Sequence, residues 1–97
     1  MGRMDLHRRL GRLVVDVQAD IIPPLGTRLV VPLFEPDEVP RTMPRLHPIL
    51  AIEGRSYVLA THLMAAVPVT ELGRPVGSLD EHYDRIVAAI DMVFNGF

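Results

Sequence analysis

Residues 78–97 read Ser78-Leu79-Asp80-Glu81-His82-Tyr83-Asp84-Arg85-Ile86-Val87-Ala88-Ala89-Ile90-Asp91-Met92-Val93-Phe94-Asn95-Gly96-Phe97, and the fold class turns on them. Leu79, Tyr83, Ile86, Ile90, Val93 and Phe97 are spaced four, three, four, three and four, which lays them on one stripe of a helix. Val87 and Phe94 widen that stripe, so Phe94 is expected on the core side. Ser78 with Glu81 has the form of a capping box, with Ser78 as the expected N-cap. Asp80 and Glu81 suit the positive end of the helix dipole. Asn95-Gly96 is the expected stop.

Upstream of this helix the pattern has a different period. Met4-Asp5-Leu6-His7 alternates weakly and reads as a short edge strand, with Arg8 to Arg12 as the following turn. Residues 13–18 form a stronger strand: Leu13, Val15 and Val17 share one face, opposite Val14, Asp16 and Gln18. Pro23-Pro24 and Gly26 end that pairing, and residues 27–31 supply the partner strand. From Pro32 a proline recurs every fourth residue, at 36, 40, 44 and 48, which excludes a helix and a central strand there. Residues 34–45 therefore read as a long surface loop, either a binding loop or an inert one. Residues 49–52 and 56–61 flank Glu53-Gly54-Arg55, a hairpin signal. Residues 67–72 read as a further strand, ended by Gly73 and Pro75. Strands followed by one helix make the expected class α+β, one domain over residues 1–97.

Composition narrows the function. Hydrophobic residues are 48% of the chain and charged residues 23%, a globular balance. A chain of 97 residues buries only about two-thirds of its unfolded surface, so a dimer interface would help stabilise it. There is no cysteine, which removes disulfides and thiolate chemistry and fits a reducing cytoplasm. No apolar run approaches the ~20 residues of a membrane span. The first nine residues are charged and have no apolar core, so no secretory signal is expected. A net charge of −2 argues against nucleic acid as a direct ligand. All ten basic residues are arginine, which reads either as a GC-rich genome or as a set of forks for carboxylates on a partner.

No catalytic set emerges. His7, His47, His62 and His82 are scattered, with no pair at metal-ligand spacing on one element. Ser56 and Ser78 lack a nucleophile-elbow context. Asp16 and Asp20 are close in sequence but read as turn or surface residues. No phosphate-binding glycine loop is present, and no metal or cofactor is expected. The balance favours a binding protein over an enzyme.

The run Val15-Asp16-Val17-Gln18-Ala19-Asp20-Ile21-Ile22 resembles the early motif of the CcdB toxins. The likeness continues through Gly26 and Leu29-Val30-Val31-Pro32-Leu33. It resumes at Leu46-His47-Pro48 and Met64-Ala65-Ala66-Val67-Pro68-Val69, and ends at Phe94-Asn95-Gly96-Phe97. The resemblance implies an SH3-type antiparallel partial barrel of the CcdB/Kid kind, with one C-terminal helix, forming a symmetric homodimer. It also implies a cytoplasmic toxin of a type II toxin–antitoxin pair, of the kind that serves plasmid maintenance. Such a toxin binds the A subunit of DNA gyrase, traps the topoisomerase on cleaved DNA without chemistry of its own, and is neutralised by a CcdA-like antitoxin.

Carried over residue by residue, the gyrase-facing surface is Ala19, Ile21, Ile22, Asp91, Asn95, Gly96 and Phe97. Four positions depart from the family pattern. Ala19 stands where the best-known member has serine, Asp91 where the family has asparagine, Asn95 where it has a tryptophan that stacks on the target, and Phe97 where it ends on isoleucine. Phe97 is the one aromatic residue beyond Asn95 and either compensates or packs at the dimer seam. Ile21 and Ile22 are either core residues or, given Pro23-Pro24, part of an exposed rigid loop. Met64 is expected in the core. Two other readings stay open: an endoribonuclease like MazF and Kid, with His47 and Arg45, or His62, in acid–base roles; and a non-toxic homologue that only binds antitoxin.

Overall fold

The computed structural model describes residues 2–21 and 25–96; Ile22 and Phe97 therefore lie outside the described residues. Seven strands and one α-helix occur in the order β1 (Asp5–Arg9), β2 (Arg12–Asp16), β3 (Thr27–Phe34), β4 (Ile49–Ile52), β5 (Arg55–Leu59), β6 (Ala65–Pro68), β7 (Gly77–Ser78) and α1 (Tyr83–Asn95). The sheet order is β4-β5-β3-β2-β1-β7, all antiparallel, with β6 also paired to β3. The α+β expectation and the curled, partial-barrel sheet with a C-terminal helix are borne out.

Two tight turns set the register. Arg9 pairs with Arg12 and Ile52 with Arg55, so each hairpin closes through two residues. Those residues, Leu10-Gly11 and Glu53-Gly54, all have positive φ, the mirror-image turn that matches the twist of the strands. A glycine at the second position avoids the Cβ clash that this backbone imposes. Arg8 and Arg9 consequently belong to β1 and not to the turn. β1 is covered on its outer side only at Asp5 and Leu6, where β7 pairs with it, and stays an edge strand from His7 to Arg9.

β3 is the hub, and it runs through Pro32, against the expectation that proline stops it. Its side away from β2 pairs with β6 over Thr27 to Val30, then with β5 at Leu33 and Phe34. Pro32 sits at the changeover. Its carbonyl accepts from Ala60 N–H on that same side, so its missing N–H falls in the gap between the two partners. The change of partner bends the sheet around a core of Met4, Leu6, Leu13, Val15, Val31, Leu33, Leu50, Ile52 and Leu59, closed by Leu79, Ile86 and Ala89. A smaller cluster of Val14, Val30, Val67 and Leu72 covers the opposite face. Central strand β2 is thus buried on both sides.

Other boundaries move. β2 ends at Asp16 rather than at Gln18. The expected loop over residues 34–45 contains a 3-10 turn, Pro36–Glu38. Residues 67–72 are not one strand: β6 stops at Pro68 and a 3-10 turn, Val69–Glu71, follows. Ser78 does not cap α1. It lies in β7, its Oγ accepts from Asp80 N–H at 3.2 Å, and a 3-10 turn at Asp80–His82 precedes the helix. The capping-box pattern marks where the chain begins to coil, not where the α-helix begins. Met64 packs against the core from its margin, half-buried.

Candidate functional site

The loop after β2 is held from one side by a single guanidinium. Arg28 of β3 donates through Nε to Asp16 Oδ2 at 2.6 Å and through Nη2 to Asp16 Oδ1 at 3.0 Å. The same Nη2 donates to the carbonyl of Gln18 at 3.2 Å and lies 3.5 Å from Asp20 Oδ1. Asp16 is fully buried, not a surface residue as its sequence position suggests. Its hydrogen bond, with further help from both aspartate charges, holds the Arg28 pKa above its ordinary value despite burial. Gln18 completes the brace, accepting from Leu29 N–H through its side chain and donating its own N–H to Asp16 Oδ1, both at 3.0 Å. Asp20 Oδ1 accepts from Arg3 N–H at 2.8 Å.

The braced segment carries apolar surface into solvent. Ile21 is 91% exposed, which settles its alternative in favour of the exposed loop. Ala19 is half-buried. The partner position Ile22 is outside the described residues.

The second part of the candidate surface is the end of α1. Asp91 and Asn95 are exposed, and Asn95 is the last helical residue. Gly96 takes the left-handed conformation, φ 74°, with its N–H donating to Met92 O at 3.0 Å. Phe94 is 67% exposed, a correction to its expected place in the core. The buried stripe of the helix is narrow, Ile86 and Ala89 with Ile90 beside them, and Phe94 falls outside it. Tyr83, Val87, Asp91 and Phe94, spaced four, four and three, form a second stripe that is exposed apart from half-buried Val87. That spacing was available in the sequence, but it competes with the apolar stripe for the same residues.

Loop and helix end are not joined within the protomer. Among the described residues no hydrogen bond or ion pair links residues 19–21 to Asp91, Asn95 or Gly96. The loop is tied instead towards the helix start: Arg3, whose amide holds Asp20, lies over the Tyr83 ring at 4.5 Å. The helix between Tyr83 and Asn95 then spans about 18 Å.

The arginines are largely occupied inside the chain. Arg9 pairs with Glu71, Arg12 with Glu38, Arg28 with Asp16 and Arg55 with Glu35. The Arg12 pair is bidentate, at 3.2 and 3.0 Å, and Arg12 also lies over the Phe34 ring at 3.9 Å. Arg12, with the Glu35 amide second, holds the Glu38 carboxyl below its ordinary range. Arg12 and Arg55 line a cavity of about 300 Å³ together with exposed Arg8, Glu35 and Glu38 and half-buried Tyr57.

Among the described residues no hydrogen bond joins a histidine to an arginine. His47 is buried, and both its ring nitrogens are engaged, by the Met43 amide and by His62. His7 is buried and donates through Nδ1 to Leu72 O at 3.2 Å. His82 donates to Ala51 O at 3.0 Å and fastens the helix start to β4. Among the described residues no three acidic or imidazole groups converge as a metal site would require. No helix among them is long and apolar enough to cross a membrane.

The fold defines a small α+β protein with a curled antiparallel sheet and one C-terminal helix, with Ile21 and Phe94 exposed on its surface. The family described as CcdB protein matches the chain over residues 4–96, and the chain belongs to that family. Membership makes it a toxin of the type II toxin–antitoxin class.

Proposed function

We propose that this chain acts as a homodimer on the A subunit of DNA gyrase in the cytoplasm, trapping the enzyme on cleaved DNA, and that a CcdA-like antitoxin neutralises it. The observation that carries the reading is Ile21, 91% exposed on a loop braced by a buried ion pair, in a chain of the CcdB family. A fully exposed isoleucine gains nothing in the free protein, and burial at an interface would contribute about 1.5–3 kcal/mol. The target-facing set is Ala19, Ile21 and Ile22 from the loop, with Asp91, Asn95, Gly96 and Phe97 from the helix end. Phe94 joins it as the exposed aromatic residue next to Asn95. A two-fold dimer suits two patches set apart in one protomer, since symmetry repeats each patch on a matching two-fold target.

The antitoxin is proposed to engage the cavity at Arg8 with an acidic segment. Arg8 forms no ion pair among the described residues, and Tyr57 supplies apolar area beside it. A carboxylate there meets a guanidinium that no internal acid has claimed.

The test is incubation of the purified protein with host gyrase, supercoiled plasmid and ATP. Linear DNA that depends on the protein is the expected result. Its absence, with active gyrase and a working control toxin, removes the gyrase reading. RNA cleavage and antitoxin binding without toxicity are then the readings to measure.

A further inference from the structure

His47 and His62 are far apart in sequence, but their rings meet edge to face with centroids 4.7 Å apart, and His47 Nε2 lies 2.8 Å from His62 Nδ1. His47 Nδ1 faces the Met43 amide at 3.0 Å. The Met43 carbonyl in turn accepts from the amides of Leu46 and His47 at 2.9 and 2.7 Å, so residues 43–47 form one closed turn. We propose that the His47–His62 pair is an acid-released latch, which holds this turn against the 3-10 turn Thr61–Leu63 only while both imidazoles are neutral.

The reasoning is a count of protons. A backbone amide only donates, so His47 Nδ1 must carry a lone pair and its proton must sit on Nε2. That proton is donated to His62 Nδ1, which must also be bare, leaving the His62 proton on exposed Nε2. The chain of bonds has one direction: Met43 N–H to His47, then His47 N–H to His62. A proton added to His47 lands on Nδ1, against the Met43 amide. A proton added to His62 lands on Nδ1, against His47 Nε2–H. If a protonated His62 donates back to His47, the His47 proton must move to Nδ1 and again faces the amide. No protonated state keeps both bonds.

The surroundings agree. The two rings share a cavity of about 200 Å³ with Phe34, Val39, Val58 and Leu63, and its one carboxylate, Glu38, is held by Arg12. Arg45 of the turn and Arg85 of α1 line a separate depression with Pro44, Pro48 and Ala88. Burial, and then the neighbouring His62, hold the His47 pKa below its ordinary value. A metal does not explain the pair. An imidazole that ligates through one nitrogen usually donates from the other, whereas His47 accepts there.

The test uses the intact protein labelled with 15N. At pH about 7.5 the ring shifts of both histidines should report bare Nδ1 and protonated Nε2. On acidification the Met43 amide protection factor should fall about tenfold, the size of one hydrogen bond, in step with the histidine titration. His62→Gln, whose side-chain oxygen accepts but does not titrate, should carry Met43 protection to lower pH. A proton on either Nδ1 at neutral pH, or Met43 protection that ignores the titration, overturns the latch.

Discussion

Asn95 is where residue identity matters most for the proposed target. The resemblance implies a tryptophan at this place that stacks on the target, and loss of a buried interface tryptophan costs about 2 kcal/mol or more, roughly thirtyfold in affinity. Asn95→Trp is therefore expected to strengthen gyrase trapping by about that factor. Read as the toxin concentration that gives half-maximal linear plasmid, an unchanged value would remove this face from the target site. Ile21→Asp and Phe94→Ala should each abolish or weaken trapping while leaving the urea midpoint unchanged, because both side chains are mostly in solvent. A shifted midpoint would assign them a structural role instead. Arg28 is the opposite case. Arg28→Ala strands the buried Asp16 carboxylate and should cost about 3–5 kcal/mol in urea unfolding; a loss below about 1 kcal/mol would mean that water reaches the pair. None of this network was legible in the sequence. A buried ion pair has no period, and Asp16 beside Gln18 and Asp20 looks like the polar edge of a turn. Ile21 was legible as an alternative only, since Pro23-Pro24 argued for exposure and its own apolarity argued for the core.

At the scale of elements, the sequence spoke clearly where backbone chemistry is local. Glu53-Gly54 announced its hairpin because a two-residue turn of this hand needs positive φ at both positions. Gly54→Ala should accordingly destabilise the fold by about 1–2 kcal/mol, although no atom would crowd the added Cβ. An unchanged thermal midpoint would mean that the turn adopts another type without cost. The C-terminal helix and its glycine stop were legible for the same reason, since apolar spacing and a left-handed terminus are both local signals. The sequence failed where an element depends on distant partners. Pro32 looks like a strand breaker until one sees that β3 changes neighbours there, and that information lies in β5 and β6. Ser78 and Glu81 carry the capping pattern, yet β7 pairing takes Ser78 for the sheet and delays the helix to Tyr83. The His47–His62 contact joins two loops whose approach is fixed by the whole curl of the sheet, so no motif scan would bring them together.

For the whole molecule, two groups link folding to pH in separate windows. His47 is held below its ordinary value when folded, so as pH falls the unfolded chain takes its proton first. Its contribution is complete above the unfolded value of about 6.5 and is lost as pH drops from there to the folded value. Glu38 is also held low, by Arg12 and the Glu35 amide. Its contribution is complete above about 4.3, the unfolded carboxylate value, and disappears at lower pH. Glu38 is solvent-exposed, so that second loss is small. Stability measured by urea at a series of pH values should therefore be level above neutrality, fall through a first step below about 6.5, and fall further below about 4.3. Replacing His47 with glutamine removes the titrating group and should flatten the first step alone, while Arg12→Ala, which leaves the Glu35 amide on Glu38, should shrink the second alone. A first step that survives in His47→Gln would transfer the linkage to another histidine and separate the fold's acid response from the turn at residues 43–47.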